Sequence, residues 1–288
     1  MQKEQYRILI VVVVVGVVGY GYLRLTSLGE QITQLRTELA STIGVLQHTI
    51  TEATTTLGDA LLEEQRHVDS QVGGVQEQVG SITGTVTDLQ KLSKTDPELL
   101  AKYSKVFFLS EHYAPLRLDE IPTAYKYVES KDLQVLPDVL PHVLHMMDQA
   151  KTDGVTLYIE SAYRSFNTQE VLKERYRFTY GAGTANQFSA DQGYSEHQLG
   201  TTVDFITTGT GGLLDGFDRT PAYSWLVAHA YQYGFVLSYP KNNVYYTFEP
   251  WHWRFVGVKL ATTLHNTQSY FYLMDQRTID TYLVSLFD

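Results

Sequence analysis

Residues 195–205 read SEHQLGTTVDF, and this stretch decides how the C-terminal part of the chain folds. It places His197 and Asp204 seven positions apart, with Gly200 between them. Because seven is an odd number, one straight strand would point the two side chains to opposite faces. Both can reach one point only if the chain turns or bulges between them, and a glycine suits such a turn. The stretch therefore predicts a turn at Gly200, followed by a short strand over residues 203–206.

Two other segments of the same region combine polar and aromatic residues in an unusual way. Residues 161–169 read SAYRSFNTQ, in which Arg164 follows an alternating, strand-like run. Residues 249–255 read EPWHWRF, in which Glu249 and His252 stand three positions apart. Pro250 biases Glu249 toward an extended backbone, so this segment predicts a turn or a strand end rather than a helix.

The pattern over residues 95–288 predicts one α+β domain. Asp96-Pro97 marks its start, because proline favours an extended residue before it and a helix start after it. The predicted helices cover residues 136–151, 167–180 and 222–233, the last ending at Gly234. The predicted strands cover residues 155–163, 203–206, 245–248 and 253–256. Short strands mixed with helices in this way favour a small, largely antiparallel sheet flanked by helices.

An apolar run near the start of the chain predicts a membrane anchor. Residues 8–23 are 16 residues without charge between Arg7 and Arg24, and they include the run IVVVVVGVV. This is near the lower length limit for a transmembrane helix. A cleaved signal peptide or a buried strand is the alternative. No small-residue cleavage site follows the run, and Tyr20 and Tyr22 suit a membrane interface, so an uncleaved single span is favoured. Lys3 and Arg7 precede the run, while Arg24 and Arg36 follow it more sparsely, which favours residues 1–7 inside.

Residues 24–94 predict a coiled-coil stalk. Apolar or small residues recur in steps of three and four from Leu28 to Leu57 and again from Val68 to Leu89, with phase slips at residues 39–43 and 57–61. This is a heptad pattern, which indicates helices that pair with copies of themselves. Glycines in the second half lower helix propensity, so a polar, partly disordered spacer is the alternative.

Composition narrows the possible ligands. The net charge of −10 argues against broad binding of a nucleic-acid backbone, which needs a basic face. The chain contains no cysteine, so disulfides and thiolate metal sites are impossible. Any metal must be held by His, Asp or Glu side chains.

The three polar segments together contain every group that a zinc hydrolase needs. A catalytic zinc takes three protein ligands and leaves one position for water, whose pKa it lowers. His197, Asp204 and His252 are the candidate ligands. Glu249 is the candidate base that moves the proton of the water to the leaving amine. Arg164 is the candidate group to hold a carboxylate or the developing oxyanion. Each residue alone has an ordinary structural explanation, so the hypothesis depends on their combination.

In their order and spacing, these segments resemble the zinc D-alanyl-D-alanine carboxypeptidases of the VanY type, in the wider LAS group of peptidoglycan peptidases. The ligand motif of that family is Ser-x-His-x-x-Gly-x-x-x-Asp, which residues 195–204 match without a change of spacing. Its Glu-x-x-His motif is matched by residues 249–252. Its Ser-Gly-Tyr-Arg-Ser strand end and following Gln are matched by residues 161–165 and Gln169, except that Ala162 replaces the glycine. The likeness covers roughly residues 95–257.

The resemblance implies a role for each matching residue. His197, Asp204 and His252 would bind one Zn2+ per chain. Glu249 would act as general base and acid, and Arg164 would stabilise the oxyanion or hold the substrate. The expected substrate-binding residues are Tyr163, Gln169 and Ser195. Thr201-Thr202 replaces a more apolar pair before Asp204, which puts substrate preference in more doubt than catalysis.

The resemblance also implies a substrate and a location. The expected substrate is a peptidoglycan stem peptide that loses its terminal D-alanine. A wall substrate requires an exported domain, so we expect a single-pass protein of the bacterial cell membrane with the N-terminus inside and the catalytic domain outside. The other expected partners are the membrane, through the N-terminal helix, and further copies of the chain, through the stalk. No nucleic acid is expected.

Two alternatives stay open from the sequence. Within the same family, the chain would be an L,D-carboxypeptidase or a wall endopeptidase. In a different class, it would be a non-catalytic wall-binding scaffold built on the coiled coil. Glu249 argues against a scaffold, because a protein that only binds has no need of a base.

Overall fold

The computed structural model describes residues 2–103, 109–180, 190–212 and 214–288. The chain divides into two units, which cover Met1–Ile82 and Thr83–Asp288. The second unit contains the sheet, the core and all the residues proposed above for chemistry.

The first unit is helical throughout its described residues. Helix α1 runs over Gln2–Lys94, and its last turns belong to the second unit. None of its residues, all of which are described, is buried in the single chain. The helix contains one stretch that is long and apolar enough to cross a membrane, and a signal sequence would meet the same criteria. It continues through Gly73, Gly74, Gly80 and Gly84, where the sequence predicted weakened helix.

The second unit is built on two small antiparallel sheets. Strands β1 (Asp119–Glu120) and β2 (Gln134–Val135) form a two-stranded sheet. The larger sheet has the strand order β3-β4-β6-β5 and is antiparallel at every junction. Its strands are β3 (Tyr158–Ser161), β4 (Thr202–Ile206), β5 (Phe235–Leu237) and β6 (His252–Phe255). The predicted α+β class with a small antiparallel sheet is therefore confirmed.

Among the residues that the structure describes, five helices accompany these sheets, and short 3-10 turns connect them. The helices are α2 (Leu140–Thr152), α3 (Phe166–Tyr180), α4 (Pro221–His229), α5 (Val258–Asn266) and α6 (Gln276–Asp280). The predicted helix over residues 222–233 is present as α4 and a following 3-10 turn, and it ends at Gly234 in the left-handed conformation. Helix α2 begins four residues later than predicted.

The larger sheet has an apolar face and a polar face, and both are buried. Side chains alternate between the faces along each strand. The apolar face contributes Val203, Phe205, Trp253 and Phe255 to the core. The polar face carries Thr202, Asp204, His252 and Arg254, each of which is also buried. Asp204 is paired directly with His252, and Thr202 with Arg254. Strand pairing thus brings an aspartate and a histidine 48 positions apart side by side.

One predicted strand, over residues 245–248, is wrong. These residues form a bend and then an irregular segment, because the side-chain oxygen of Asn243 accepts the backbone N–H groups of Tyr245 (2.8 Å) and Tyr246 (3.1 Å). A side chain that bonds its own following backbone in this way competes with strand pairing. The aromatic, β-type composition of residues 245–248 did not reveal this local bond.

The turn predicted at Gly200 is present. Glu196–Leu199 form a 3-10 turn, and Gly200 ends it with φ +71, donating its N–H to the carbonyl oxygen of His197. The chain then enters β4, so His197 lies on the turn while Asp204 lies on the strand. A side chain at position 200 would place its Cβ 3.1 Å from Cδ2 of Leu118. Both the backbone angle and the space therefore require glycine.

We expect Gly200→Ala to lower the free energy of unfolding by more than a matched substitution at Gly154. Both glycines have positive φ, +71 and +80, but the space around Gly154 is open while that around Gly200 is filled. The left-handed conformation costs a non-glycine residue about 1–3 kcal/mol, and Gly200→Ala adds crowding to this strain. Chemical denaturation measures both variants. Equal losses of stability would show that the Gly200 turn is not tightly packed.

Candidate metal centre

Three buried side chains meet above the polar face of the larger sheet. One ligand atom from each of His197, Asp204 and His252 lies within 4.8 Å of the others. Nε2 of His197 lies 3.1 Å from Oδ2 of Asp204. Nδ1 of His252 lies 3.1 Å from Oδ1 of the same carboxylate. The structure therefore brings together the three residues that the sequence predicted as metal ligands.

The hydrogen bond at the far side of the His197 ring determines which nitrogen is bare. Nδ1 of His197 lies 2.6 Å from the carbonyl oxygen of Ala162. A carbonyl only accepts, so Nδ1 carries the proton and Nε2 of the neutral ring has a lone pair. This Nε2 makes no hydrogen bond to any described residue, although it is buried. Two groups with lone pairs, the His197 nitrogen and the Asp204 oxygen, thus face each other.

In His252 the roles of the two ring nitrogens are reversed with respect to His197. Its Nε2 lies 3.0 Å from Oε2 of Glu196, which is completely buried. An ionised carboxylate only accepts, so Nε2 donates and Nδ1 is the nitrogen directed at Asp204. The ring also stacks on Tyr239, with centroids 4.0 Å apart. His252 thus approaches Asp204 through Nδ1, while His197 approaches it through Nε2.

This donor set fits a divalent cation. Two imidazole nitrogens and a carboxylate, each buried and directed at one point, repel one another unless a positive charge lies among them. Zinc binds His nitrogen and Asp oxygen, and a three-ligand set that leaves one position open is typical of catalytic zinc. The second hydrogen bond of each imidazole is also a usual feature of metal-bound histidines.

The charges of the three residues agree with this arrangement. Burial lowers the pKa of His197 to about 4, and the Arg164 guanidinium contributes to the decrease. Burial alone would raise the pKa of Asp204, but the nearby histidines hold it well below its usual range. Burial alone would lower the pKa of His252, but hydrogen bonds to Asp204 and Glu196 raise it to about 9. Asp204 and Glu196 thus favour a positive charge beside His252, which is the kind of charge that a bound cation supplies.

Glu249 lies beside the three candidate ligands and is not a member of that group. Its Oε2 is 3.8 Å from Nδ1 of His252, and its side chain is 17% exposed. The backbone N–H of Glu249 donates to the carbonyl oxygen of Tyr239, and the N–H of His252 donates to the carbonyl oxygen of Glu249. Burial raises the pKa of the Glu249 carboxyl to about 7. A carboxyl group that titrates near neutrality can both accept and donate a proton.

Arg164 approaches the centre from the end of β3. Its Nη2 lies 3.9 Å from Oδ2 of Asp204, and its side chain is 20% exposed. Its backbone N–H donates to the carbonyl oxygen of His197 at 3.2 Å. The buried Nε has no hydrogen-bond partner within the described ranges. The guanidinium therefore retains a donor for a group that enters the centre.

The three expected substrate-binding residues lie in different places. Ser195 is buried and immediately precedes the 3-10 turn that carries His197. Gln169 is buried on α3, and its side-chain amide donates to the carbonyl oxygen of Ala190 at 2.9 Å. Tyr163 is partly buried, and its backbone N–H donates to the carbonyl oxygen of Gln134. Of these residues, Ser195 and Tyr163 are each next to a residue that reaches the metal centre.

The sequence did not single out the buried charge network behind His252. Glu196 accepts from Nη1 of Arg254 at 2.6 Å and from the hydroxyl of Tyr272 at 2.8 Å. One signal was available for Arg254, because it is two residues after His252 in a strand and thus shares its face. Glu196 directly follows Ser195 in the motif, and nothing in its neighbours along the chain indicates burial.

Known proteins resemble this chain in sequence. The family described as VanY, D-alanyl-D-alanine carboxypeptidase, matches residues 132–258. The chain is 30% identical to YodJ of Bacillus subtilis (strain 168), a candidate carboxypeptidase, over 74% of this chain and 82% of that protein. It is 29% identical to a D-alanyl-D-alanine carboxypeptidase of Enterococcus faecium, over 61% of this chain and 54% of that protein.

Solved structures resemble it in fold. The LD-carboxypeptidase LdcB is 31% identical with a TM-score of 0.56, over 61% of this chain and 85% of that one. A mutant of the D,D-pentapeptidase VanY from a VanB-type resistance cassette, in complex with Zn(II), is 25% identical with a TM-score of 0.51. That match covers 61% of this chain and 97% of the other.

We expect Zn2+ to raise the melting temperature of the metal-free protein and a chelator to reverse the increase. A ligand that binds only the folded state at 100 times its Kd stabilises by about 2.7 kcal/mol. Asp204→Asn should abolish most of this response, because it removes the only charged ligand of the three. Asp132→Asn, at an exposed position, is the matched control and should keep the full response. A zinc response in Asp204→Asn equal to that of the wild type would place the metal elsewhere.

Proposed function

Because this chain belongs to the VanY family of D-alanyl-D-alanine carboxypeptidases, we propose that it removes the C-terminal D-alanine of peptidoglycan stem peptides by zinc-dependent hydrolysis. The observation that carries the proposal is the convergence of His197, Asp204 and His252, with the Glu249 carboxylate beside them. The family and its relatives support a carboxypeptidase, and this geometry supports the assignment of roles.

In this proposal His197, Asp204 and His252 hold a single zinc ion. When bound, the ion supplies a Lewis acid that polarises the scissile carbonyl and lowers the pKa of water. The hydrogen bonds from His197 to Ala162 and from His252 to Glu196 orient both rings before the ion arrives. Little reorganisation is then needed on binding.

Glu249 is proposed to transfer the proton, and Arg164 to hold the oxyanion or the substrate carboxylate. Glu249 takes a proton from the attacking water as the water oxygen bonds to the carbonyl carbon of the peptide. Arg164 donates hydrogen bonds to the developing oxyanion or to the terminal carboxylate of the substrate, using its free donor edge. When the C–N bond breaks, Glu249 returns the proton to the amine of the leaving D-alanine, so the proton count balances.

Tyr163, Gln169 and Ser195 are proposed to line the substrate site. Ser195 directly precedes the turn that carries His197, and Tyr163 directly precedes Arg164. The side-chain amide of Gln169 connects α3 to the backbone of Ala190, six residues before the 3-10 turn that holds His197. Their contribution is to position the peptide rather than to move protons.

A second reading has an observation in its favour. LdcB, with 31% identity, is described as an LD-carboxypeptidase, so the tetrapeptide rather than the pentapeptide is the alternative substrate. The D,D reading is preferred because both the family and the enterococcal relatives carry that description. No such observation supports a wall endopeptidase or a non-catalytic scaffold. A scaffold would also give the Glu249 carboxylate no function.

We also propose that residues 8–23 anchor the protein in the bacterial cell membrane, with residues 1–7 inside and the catalytic domain, residues 95–288, outside. The apolar stretch of α1 supports an anchor. The orientation follows from the proposed substrate, since peptidoglycan lies outside the membrane.

Incubation of the full chain in detergent with defined stem peptides tests the reaction. We expect a pentapeptide ending in D-Ala-D-Ala to lose the mass of one alanine, and a tetrapeptide to stay intact. A chelator should stop the reaction and added zinc should restore it. Mass spectrometry of the products is the measurement. Preferential cleavage of the tetrapeptide would assign the L,D activity instead.

Glu249→Ala should abolish turnover while the zinc content stays near one per chain, because the carboxylate is not among the three ligands. Glu129→Ala, at an exposed position, is the matched control and should keep full turnover. Unchanged turnover in Glu249→Ala would refute the proposed role of the carboxylate.

Residues 24–94 are proposed to form a coiled-coil stalk that joins copies of the chain. The apolar heptad residues are exposed in the single chain, for example Ile43 at 46% and Leu46 at 55%, so they are available to pair. We expect analytical ultracentrifugation in detergent to show an oligomer of the wild type. Replacing Ile43 and Leu46 with Glu should shift it toward monomer. A monomeric wild type would contradict the stalk.

A further inference from the structure

Glu196 is a buried carboxylate that neither binds the ion nor moves a proton in the proposed reaction. Its side chain is 0% exposed, and its two oxygens make three polar contacts. Oε1 accepts from Nη1 of Arg254 (2.6 Å) and from the hydroxyl of Tyr272 (2.8 Å). Oε2 accepts from Nε2 of His252 (3.0 Å). Burying a charged carboxylate costs free energy unless positively charged and hydrogen-bonding partners compensate for it.

The position of Arg254 is fixed independently of Glu196. Its Nη2 donates to the carbonyl oxygens of Leu99 (2.7 Å) and Ala101 (3.0 Å), and its guanidinium lies over the ring of Phe271, 4.6 Å from the centroid. With a guanidinium held in this place, Glu196 is kept as an anion. The carboxylate is therefore a fixed acceptor beside His252, and it has no proton of its own to donate.

A fixed acceptor at Nε2 controls how His252 meets a metal. Two carboxylates lie at the edges of this ring, Glu196 at Nε2 and Asp204 at Nδ1. When the ring has one proton, that proton can be on either nitrogen. A proton on Nδ1 would donate to Asp204 and occupy the position where a cation must bind. The anion at Nε2 favours the other arrangement, which leaves the Nδ1 lone pair for the metal.

We propose that Glu196 is the positioning residue for His252: it holds the ring proton on Nε2, so that Nδ1 is a ready metal ligand, and Arg254 and Tyr272 hold Glu196 for this purpose. The proposal rests on the zinc site of the proposed function. His197 has the same arrangement with a backbone carbonyl, that of Ala162, in place of the carboxylate.

Glu196→Gln tests the proposal by zinc affinity rather than by turnover. A glutamine presents either an oxygen or an amide N–H to His252, so the ring is free to place its proton on Nδ1. We expect the zinc Kd, measured by competition with a chromophoric chelator, to rise about ten- to a hundredfold. A Kd within twofold of the wild type in a folded variant would overturn the proposal.

Tyr272→Phe is the matched control. It removes another contact to the same carboxylate but leaves the Glu196–His252 bond, so its zinc Kd should change less than threefold. If Glu196 only held the fold together, both variants would lose thermal stability and neither would lose zinc affinity selectively.

Two further measurements cover the case in which Glu196→Gln does not fold. The double variant Glu196→Met and Arg254→Met removes both buried charges together, which cores often tolerate, and it should show the same loss of zinc affinity. In the 15N-labelled, zinc-loaded wild type, His252 should show a metal-bound Nδ1 and a protonated Nε2. Zinc on Nε2 would overturn the proposal regardless of any variant.

Failure of the proposed function can be told apart from failure of this inference. If the wild type binds zinc but cleaves neither stem peptide, the proposed function is contradicted. The effect of Glu196→Gln on zinc affinity still decides the role of Glu196. If the wild type binds zinc and cleaves the peptides as proposed, but Glu196→Gln binds zinc with the wild-type Kd, only the proposed role of Glu196 is contradicted.

Discussion

The repulsion between the bare Nε2 of His197 and the Asp204 carboxylate is the constraint on which the rest of the structure depends. A neutral His197 nitrogen lies 3.1 Å from one carboxylate oxygen, and His252 lies 3.1 Å from the other, all of them buried. Without a cation this arrangement is unfavourable, so the surrounding protein must hold it in place. The packing of the turn at Gly200, the pairing of β4 with β6 and the Glu196–Arg254 pair each hold one part of it.

The sheet shields this polar group from solvent, which would otherwise weaken the electrostatic interactions within it. One face of β4 and β6 packs into the apolar core, and the opposite face carries the aspartate, the histidine and Arg254. In a medium of low polarity, charges and dipoles act more strongly on each other and on whatever binds among them. The same burial brings the pKa of Glu249 to about 7, close to the value that serves a group which must first accept and then donate a proton.

Local sequence was sufficient to predict helices α2, α3 and α4 and the turn at Gly200, but it did not predict α5, α6 or strand β5. The residues that meet at the centre were predicted from three separate segments taken together and from their family resemblance. The turn follows from the odd spacing of His197 and Asp204, and the strand end at His252 follows from Pro250. Local sequence could not predict the hydrogen bonds between residues far apart in the chain. Nothing near Glu196 in the sequence shows that Arg254 and Tyr272 will surround it, because these contacts span 58 and 76 positions. The failure at residues 245–248 has a local cause, the Asn243 side chain, which competes with strand pairing.

The central claim is that two imidazoles and one aspartate hold a single ion, with Glu249 beside it but not bound to it. A crystal structure of the zinc-loaded protein, with anomalous scattering recorded on both sides of the zinc absorption edge, tests this most directly. The account predicts one anomalous peak, contacted by Nε2 of His197, Nδ1 of His252 and an oxygen of Asp204. A peak bound through Glu249, a peak at another place, or no peak in crystals grown with saturating zinc would contradict it.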